Sequence, residues 1–220
     1  MLLRHQLVLL AGFLAGFADW GDGSTAADSH RLTTVPALAV STTDSRLGGI
    51  HYIVIQLDED REGRGPTIQF SEQSRGSAVG EEWKAGVRAA VAAAGLVLGA
   101  DTRHWTVTVR NRSYSSYTEG ASASSAIAVA LIAAQRGETL NQDVAITAAI
   151  SPEGRLLEVD GLPAKLDGAA RGNMRLLLIP RGQARTADWD LMEQGKQRHV
   201  TVIEVGTLEE AYELMVGRRP

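Results

Sequence analysis

One helical segment of this sequence is apolar on almost every side. Residues 123–135 consist largely of alanine, isoleucine, valine and leucine, and Gly137 follows as a helix stop. A helix without a polar face has to be buried. We therefore expect this helix to be enclosed on most sides by the rest of the chain.

The rest of the sequence alternates between strand and helix patterns. Strands are predicted at 35–40, 49–57, 67–70, 105–109, 144–150, 176–179 and 200–205, and helices at 81–98, around 162–170, between 180 and 199, and at 208–216. The strand at 49–57 is apolar in both of its alternating sets, and the charged turn at 58–66 makes 67–70 its predicted hairpin partner. This pattern predicts an α/β (α+β) fold, a single compact domain with a mixed sheet and packed helices over residues 35–220.

Composition excludes several classes of function. Of the 220 residues, 44% are apolar and 22% charged, as in ordinary globular domains, and the net charge of −4 argues against a nucleic-acid partner. The absence of cysteine excludes disulfides. The five histidines are scattered without the clustering that zinc needs, so we expect neither a metal nor a cofactor.

The first residues have the layout of a secretory signal peptide. Arg4 and His5 precede an apolar run at 7–18, and small and polar residues follow at 19–29. The apolar run is shorter than the roughly 20 residues of a membrane span. We expect residues 1–27 to form a signal peptide or leader and the mature protein to be periplasmic or secreted. An uncleaved membrane anchor and an ordinary first helix stay open as alternatives.

Ser122 lies in the run Glu119-Gly120-Ala121-Ser122-Ala123-Ser124, where the apolar helix begins. A serine at this place is often only a helix cap. The same place also suits a nucleophile, because free backbone N–H groups at a helix start, next to a flexible Gly120, can hold an oxyanion. Spacing alone does not separate Ser122 from Ser124 and Ser125.

Lys165 is placed on the apolar side of a short helix that starts near Pro163. Leu162, Leu166, Ala169 and Ala170 mark that side at helical spacing. Desolvation and the positive end of the helix dipole both lower the pKa of such a lysine, which could then take a proton from serine. The alternative is a lysine whose stem covers the core while its amine reaches water.

Five segments in order resemble the proteolytic domain of Lon proteases. They are EGASAS (119–124), QDVAIT (142–147), the turn at 154–156, DGLPAKLDGAA (160–170) and MRLLLIP (174–180), and a weaker resemblance runs from about residue 37 to the C-terminus. The resemblance implies that Ser122 is the nucleophile and Lys165 its general base, with Thr147 hydrogen-bonded near the lysine. We expect Glu119, Gly120 and Ala121 to take supporting or oxyanion roles. The first motif is closer to the archaeal-type branch.

The sequence departs from the family pattern at a few positions. Ala148 and Ala149 replace a usual Gly-Glu pair, Asp160 replaces the first of two glycines, and Pro163 replaces a lysine or similar residue. These changes bear on the substrate-facing surface and local hydrogen bonding. They leave Ser122 and Lys165 intact.

Three classes of function follow from the sequence. We expect an ATP-independent serine endopeptidase that cleaves flexible or unfolded polypeptides, because no Gly-x-x-x-x-Gly-Lys-Ser/Thr loop is present. The alternatives are a non-catalytic Lon-like peptide-binding or assembly domain, and a small-molecule hydrolase on the same fold. A Ser-His-acid triad with His51 or His104 stays open, as do a homo-oligomer, an unfoldase and a membrane partner. The serine-rich loop at 111–118 either borders the site or is a plain connector.

Overall fold

The computed structural model describes residues 31–71, 78–113 and 115–217. The strands are β1 (Arg31–Val40), β2 (Gly48–Glu59), β3 (Thr67–Phe70), β4 (Ala78–Val79), β5 (Trp105–Arg112), β6 (Tyr117–Thr118), β7 (Val144–Ile146), β8 (Ala149–Ile150), β9 (Leu156–Leu157), β10 (Leu176–Pro180) and β11 (Thr201–Val205). The helices are α1 (Glu81–Leu98), α2 (Ser124–Arg136), α3 (Leu162–Arg171), α4 (Leu191–Gln197) and α5 (Leu208–Met215), with 3₁₀ turns at Thr102–His104 and Ala121–Ala123. The predicted leader at 1–27 lies outside the described residues.

Two sheets organise the domain. The larger has the strand order β1-β2-β5-β3, and the smaller is the parallel set β11-β10-β7. In the larger sheet the pairs β1–β2 and β2–β5 are antiparallel, while β3 runs parallel to β5. The predicted α/β class with a mixed sheet is confirmed.

The predicted hairpin between β2 and β3 is wrong. β5 pairs along β2 from Tyr52 to Glu59, and β3 pairs with the far side of β5. The position beside β2 is therefore occupied by β5, a strand from later in the sequence. β3 lies one strand further out in the sheet. Local turn chemistry predicted the direction change, but a long-range pairing decides the partner.

Helix α2 is the centre of the larger core, as its sequence predicts. Every residue from Ser124 to Ala134 is buried, and α1, α5, β1 and β2 all pack against the helix. The inner face of β2 supplies Ile53, Ile55 and Leu57 to this core, whereas Tyr52 on the opposite face is 39% exposed. Both faces of β2 carry apolar residues, as predicted, but only the inner face is buried.

A second, smaller core lies under α3. Leu162 and Leu166 of α3 pack there with Leu38 of β1 and Ala145 of β7. The next residue of β7, Ile146, belongs to the larger core instead. Because side chains alternate along a strand, β7 lies between the two cores and contributes residues to both.

Most predicted elements lie where the sequence placed them, and α1 covers the predicted 81–98. The strand predicted at 144–150 is split into β7 and β8 by Thr147 and Ala148, which leave the ladder. In the described part of the chain, no helix is long and apolar enough to cross a membrane.

Candidate active site

Ser122 lies in the middle of the 3₁₀ turn Ala121–Ala123, directly before α2 begins at Ser124. Gly120, the residue before this turn, has φ +88°, a conformation that a residue with a side chain rarely adopts. Ser122 is half-buried. The turn therefore places the Ser122 side chain at the edge of the core, at the start of the most buried helix.

Burial separates Ser122 from the two neighbouring serines. Ser124 is 2% exposed, and its hydroxyl donates to the Ala121 carbonyl (2.7 Å) and accepts from the Ile150 N–H (3.0 Å). Ser125 is fully buried. Of the three serines, Ser122 is the one that retains access from outside, which agrees with the position that the motif predicts.

Thr147 and Ala148 connect the serine turn to β7. The Ala148 N–H donates to the Ser122 carbonyl (3.1 Å), and the Ala148 carbonyl accepts from the Ser125 N–H (3.3 Å). Thr147 is fully buried, its N–H donates to the Leu178 carbonyl of β10 (3.0 Å), and its Oγ1 has no partner among the described residues. The departure at Ala148 thus leaves the backbone bonds of the turn in place.

Lys165 lies in the first turns of α3, as predicted, and its N–H donates to the Gly161 carbonyl (3.0 Å). The residue is 4% exposed and lies between the buried neighbours Ala164 and Leu166. A lysine that extends its amine into water would keep far more exposed area. The alternative of a solvent-reaching lysine therefore does not fit the structure.

Burial lowers the pKa of Lys165 from 10.5 to about 8. The main cause is desolvation of the charged amine, and the nearby Asp160 carboxylate opposes it by raising the pKa. A substantial fraction of this amine is therefore neutral at slightly alkaline pH. Asp160, one of the residues that depart from the family pattern, is the charged group that opposes this lowering.

The fold brings the two predicted catalytic segments to the same strand. The 3₁₀ turn with Ser122 and helix α3 with Lys165 both contact β1. Within the described residues, no hydrogen bond joins Lys165 to either Ser122 or Thr147. The structure therefore places both segments against β1, and the contact between Ser122 and Lys165 stays a prediction.

Two of the predicted supporting residues are already engaged. The Glu119 carboxylate accepts from the Trp83 N–H at the start of α1 (3.0 Å) and from the Gly120 N–H (3.2 Å). Since the Gly120 N–H has this partner, it is not a free oxyanion donor in this conformation. The N–H groups that open a helical turn lack partners inside it, which leaves Ala121 and Ser122 as the better candidates.

The two histidines considered as alternative bases occupy opposite ends of the large sheet. His104 precedes β5, and its Nδ1 lies 2.9 Å from the Asp60 carbonyl oxygen. β5 then runs roughly 25 Å to the end that leads to Ser122. His51 lies nearer that end of β2 and is 5% exposed, but burial lowers its pKa to about 4, which makes it a weaker base than Lys165 near neutral pH.

Sequence comparison identifies the family of this chain. The model of the Lon protease (S16) C-terminal proteolytic domain matches residues 106–217, about half of the chain. The chain belongs to this family. The match covers the serine turn, Thr147 and the lysine helix, the three segments that the structure gathers around β1 and β7.

Relatives of this domain occur in full-length Lon proteases. The chain is 29% identical over 102 residues to the Lon protease of Neorickettsia sennetsu, and 34% identical over 95 residues to the archaeal Lon protease of Archaeoglobus fulgidus. These alignments cover 46% and 43% of this chain but only 12% and 15% of the relatives. The chain thus matches a small part of the length of these proteins.

Sequence reasoning did not find the structural roles of Ser124 and Glu119. Ser124 joins the serine turn to β8 through a bridging hydroxyl, and Glu119 joins it to α1. Gly80, which precedes α1 and has no side chain to cap the helix, was the one available signal. The free N–H groups of an uncapped helix start can bond to water or to a distant side chain, and here Glu119 accepts from one of them.

Proposed function

We propose that this domain is a serine peptidase in which Ser122 attacks the substrate carbonyl and Lys165 serves as general base. The observation that carries the proposal is the burial of Lys165, which lowers its pKa to about 8 in a chain whose Lon-domain match includes both residues. A lysine with such a pKa can exchange protons near neutral pH.

The chemistry follows from the two side chains. Neutral Lys165 takes the Ser122 proton as Oγ bonds to the carbonyl carbon, and backbone N–H groups of the serine turn stabilise the oxyanion. The resulting ammonium then donates its proton to the leaving amine, which gives an acyl-enzyme. Water attacks this ester with Lys165 again as base, and Ser122 is regenerated. The Ser122–Lys165 hydrogen bond forms in the substrate complex, because catalytic contacts are often longer without substrate.

The direct test is cleavage of casein and of a fluorogenic peptide by the purified chain beside its Ser122→Ala form. Activity in the wild type that is lost in the variant supports the proposal. Equal activity of the two forms would overturn it, and peptide binding without cleavage would support the non-catalytic alternative. Hydrolysis of small esters without any peptide cleavage would support the small-molecule alternative.

Substrate class and energy use belong to the same proposal. We expect cleavage of flexible or unfolded polypeptides without ATP, since the sequence carries no phosphate-binding loop of the Walker type. Unfolded casein should be degraded and a tightly folded protein should resist. ATP-stimulated turnover by the purified chain alone would contradict this part of the proposal.

We further propose that the domain works outside the cytoplasm. The support is the basic start and short apolar run of residues 1–27, which lie outside the described structure. Fractionation should recover a form shortened by roughly 18 to 27 residues, the range set by the candidate cleavage points. Recovery of Met1 from a cytoplasmic pool would contradict it, and an uncleaved membrane-bound form would support the anchor alternative.

A further inference from the structure

Helix α1 begins without a capping side chain of its own. Its N-cap residue is Gly80, in an extended conformation (φ −81°, ψ 176°), and no local side chain accepts a hydrogen bond from the first turn. The first N–H groups of a helix need an acceptor, which Ser, Thr, Asp or Asn commonly provides at this position. Here the acceptor comes from elsewhere in the sequence.

The carboxylate of Glu119 occupies the place of the missing cap. Its Oε1 accepts from the Trp83 N–H (3.0 Å), and its Oε2 accepts from the Tyr117 hydroxyl. A Cβ built on Gly80 would lie 1.4 Å from Glu119 Oε2, so any side chain at position 80 would displace this carboxylate. The Glu119 carboxylate can therefore occupy this place only because residue 80 is a glycine.

The same carboxylate also holds the start of the serine turn. Glu119 Oε1 accepts from the Gly120 N–H (3.2 Å), and Ser122 follows two residues later. On the other side of the turn, Gly86 of α1 packs closely against Ala121 and Ser124. Helix α1 thus contacts the serine turn at two points, one polar and one apolar.

We propose that Glu119 is a positioning residue that fixes the Ser122 turn to the N-terminus of α1. This inference rests on the proposed function, because Glu119 acts through Ser122. Because Glu119 precedes the serine turn, its bond to α1 links the order of the first turn of α1 to the position of Ser122. A local cap at position 80 would leave the two independent. Even a 1 Å displacement of a reacting group can lower a rate considerably.

The test separates capping from positioning with a matched pair of variants. Glu119→Ala removes both functions. Adding Gly80→Ser to Glu119→Ala returns a local cap to α1 but not the link to the serine turn, because a serine hydroxyl at position 80 can accept from the same first-turn N–H groups. Position 80 has room for this side chain once the carboxylate is gone, since the exposed Tyr117 ring can turn away.

We expect Glu119→Ala to lower kcat by roughly 10- to 100-fold with KM within about twofold. Amide hydrogen exchange should become faster both at 81–84 and at 120–124. In the double variant, thermal stability and protection at 81–84 should return, while kcat and protection at 120–124 stay low. Glu119→Gln, which keeps one acceptor oxygen, should recover part of kcat.

Two results would overturn the inference. One is recovery of kcat together with stability in the double variant, which would make Glu119 only a cap for α1. The other is a Glu119→Ala variant with kcat within about twofold of wild type. If the wild type shows no peptidase activity, the proposed function fails, and exchange at 120–124 in the double variant then decides the positioning role by itself.

Discussion

The serine turn and the Lys165 side chain differ in the contacts that surround them. The turn is fixed by polar contacts to α1 through Glu119, to the Ala148 backbone, and to β8 through the Ser124 hydroxyl. The Lys165 side chain is instead buried, with 4% of the residue exposed, and within the described residues no hydrogen bond joins it to another group. One half of the proposed dyad is oriented, and the other is desolvated.

This difference matches what the proposed mechanism requires of each side chain. A nucleophile has to reach one atom of the substrate, so its position matters most, and directional hydrogen bonds fix position. A lysine base has to lose its proton near neutral pH, and burial achieves this without any partner. A hydrogen bond to an anion would work against the base, because it would stabilise the ammonium form.

The largest effect should come from removing the Ser122 hydroxyl. Ser122→Ala should lower peptide cleavage by roughly 10³-fold or more, with little change in melting temperature, because the hydroxyl makes no recorded bond in the described structure. Ser125→Ala is the matched control, since the Ser125 hydroxyl is buried without a partner and should be dispensable. Cleavage assays on both variants decide this, and an inactive Ser125→Ala with an active Ser122→Ala would show that the motif register is wrong.

Replacing the desolvated amine should abolish activity and raise stability. A shift from 10.5 to about 8 disfavours folding by roughly 3 kcal/mol at pH 7, where the unfolded state holds the proton more tightly. Lys165→Met should remove this cost, so it should unfold at higher temperature than wild type below pH 8. The difference should shrink as pH rises from 8 to 10.5, because the wild type then gains stability.

Lys165→Arg is the companion variant. A guanidinium stays protonated, so it cannot act as base, and its burial should destabilise the fold. Melting curves at pH 7 and pH 10 and one peptide assay test both substitutions. Substantial cleavage by Lys165→Arg would exclude lysine as the base and make His51 the next candidate.

A smaller effect is expected within the serine turn. Ser124→Ala should destabilise the domain by about 1–3 kcal/mol, since it leaves the buried Ile150 N–H without an acceptor. Ser125→Ala, one residue further on, should change stability much less. Chemical denaturation of the two variants measures the contrast, and equal stabilities would show that the Ser124 bridge contributes little.

The sequence predicted the elements of this site better than their connections. The periodicity of 81–98 and 123–135 gave α1 and the buried helix, and the face of α3 gave an inward Lys165, because these are local patterns of apolar spacing. The partner of β3 and the link from Glu119 to α1 depend on pairings between distant segments, which no local pattern contains. The difference in burial between Ser122 and its neighbours Ser124 and Ser125 is a property that only the folded chain defines.

The smallest effect concerns Asp160, whose charge acts on the Lys165 amine within the described part of the chain. Asp160 raises the pKa of Lys165 and so opposes burial. Wild-type activity should rise with pH around a midpoint near 8, and Asp160→Asn should move that midpoint to lower pH, because the ammonium loses a favourable neighbour. The variant should therefore be the more active of the two below pH 8 and equal to wild type well above it. Glu158→Gln, a nearby exposed carboxylate that is not among the causes of the Lys165 shift, is the control. A pH–rate profile of the three proteins tests the prediction. An Asp160→Asn midpoint at or above that of wild type would show that desolvation alone sets the pKa of Lys165.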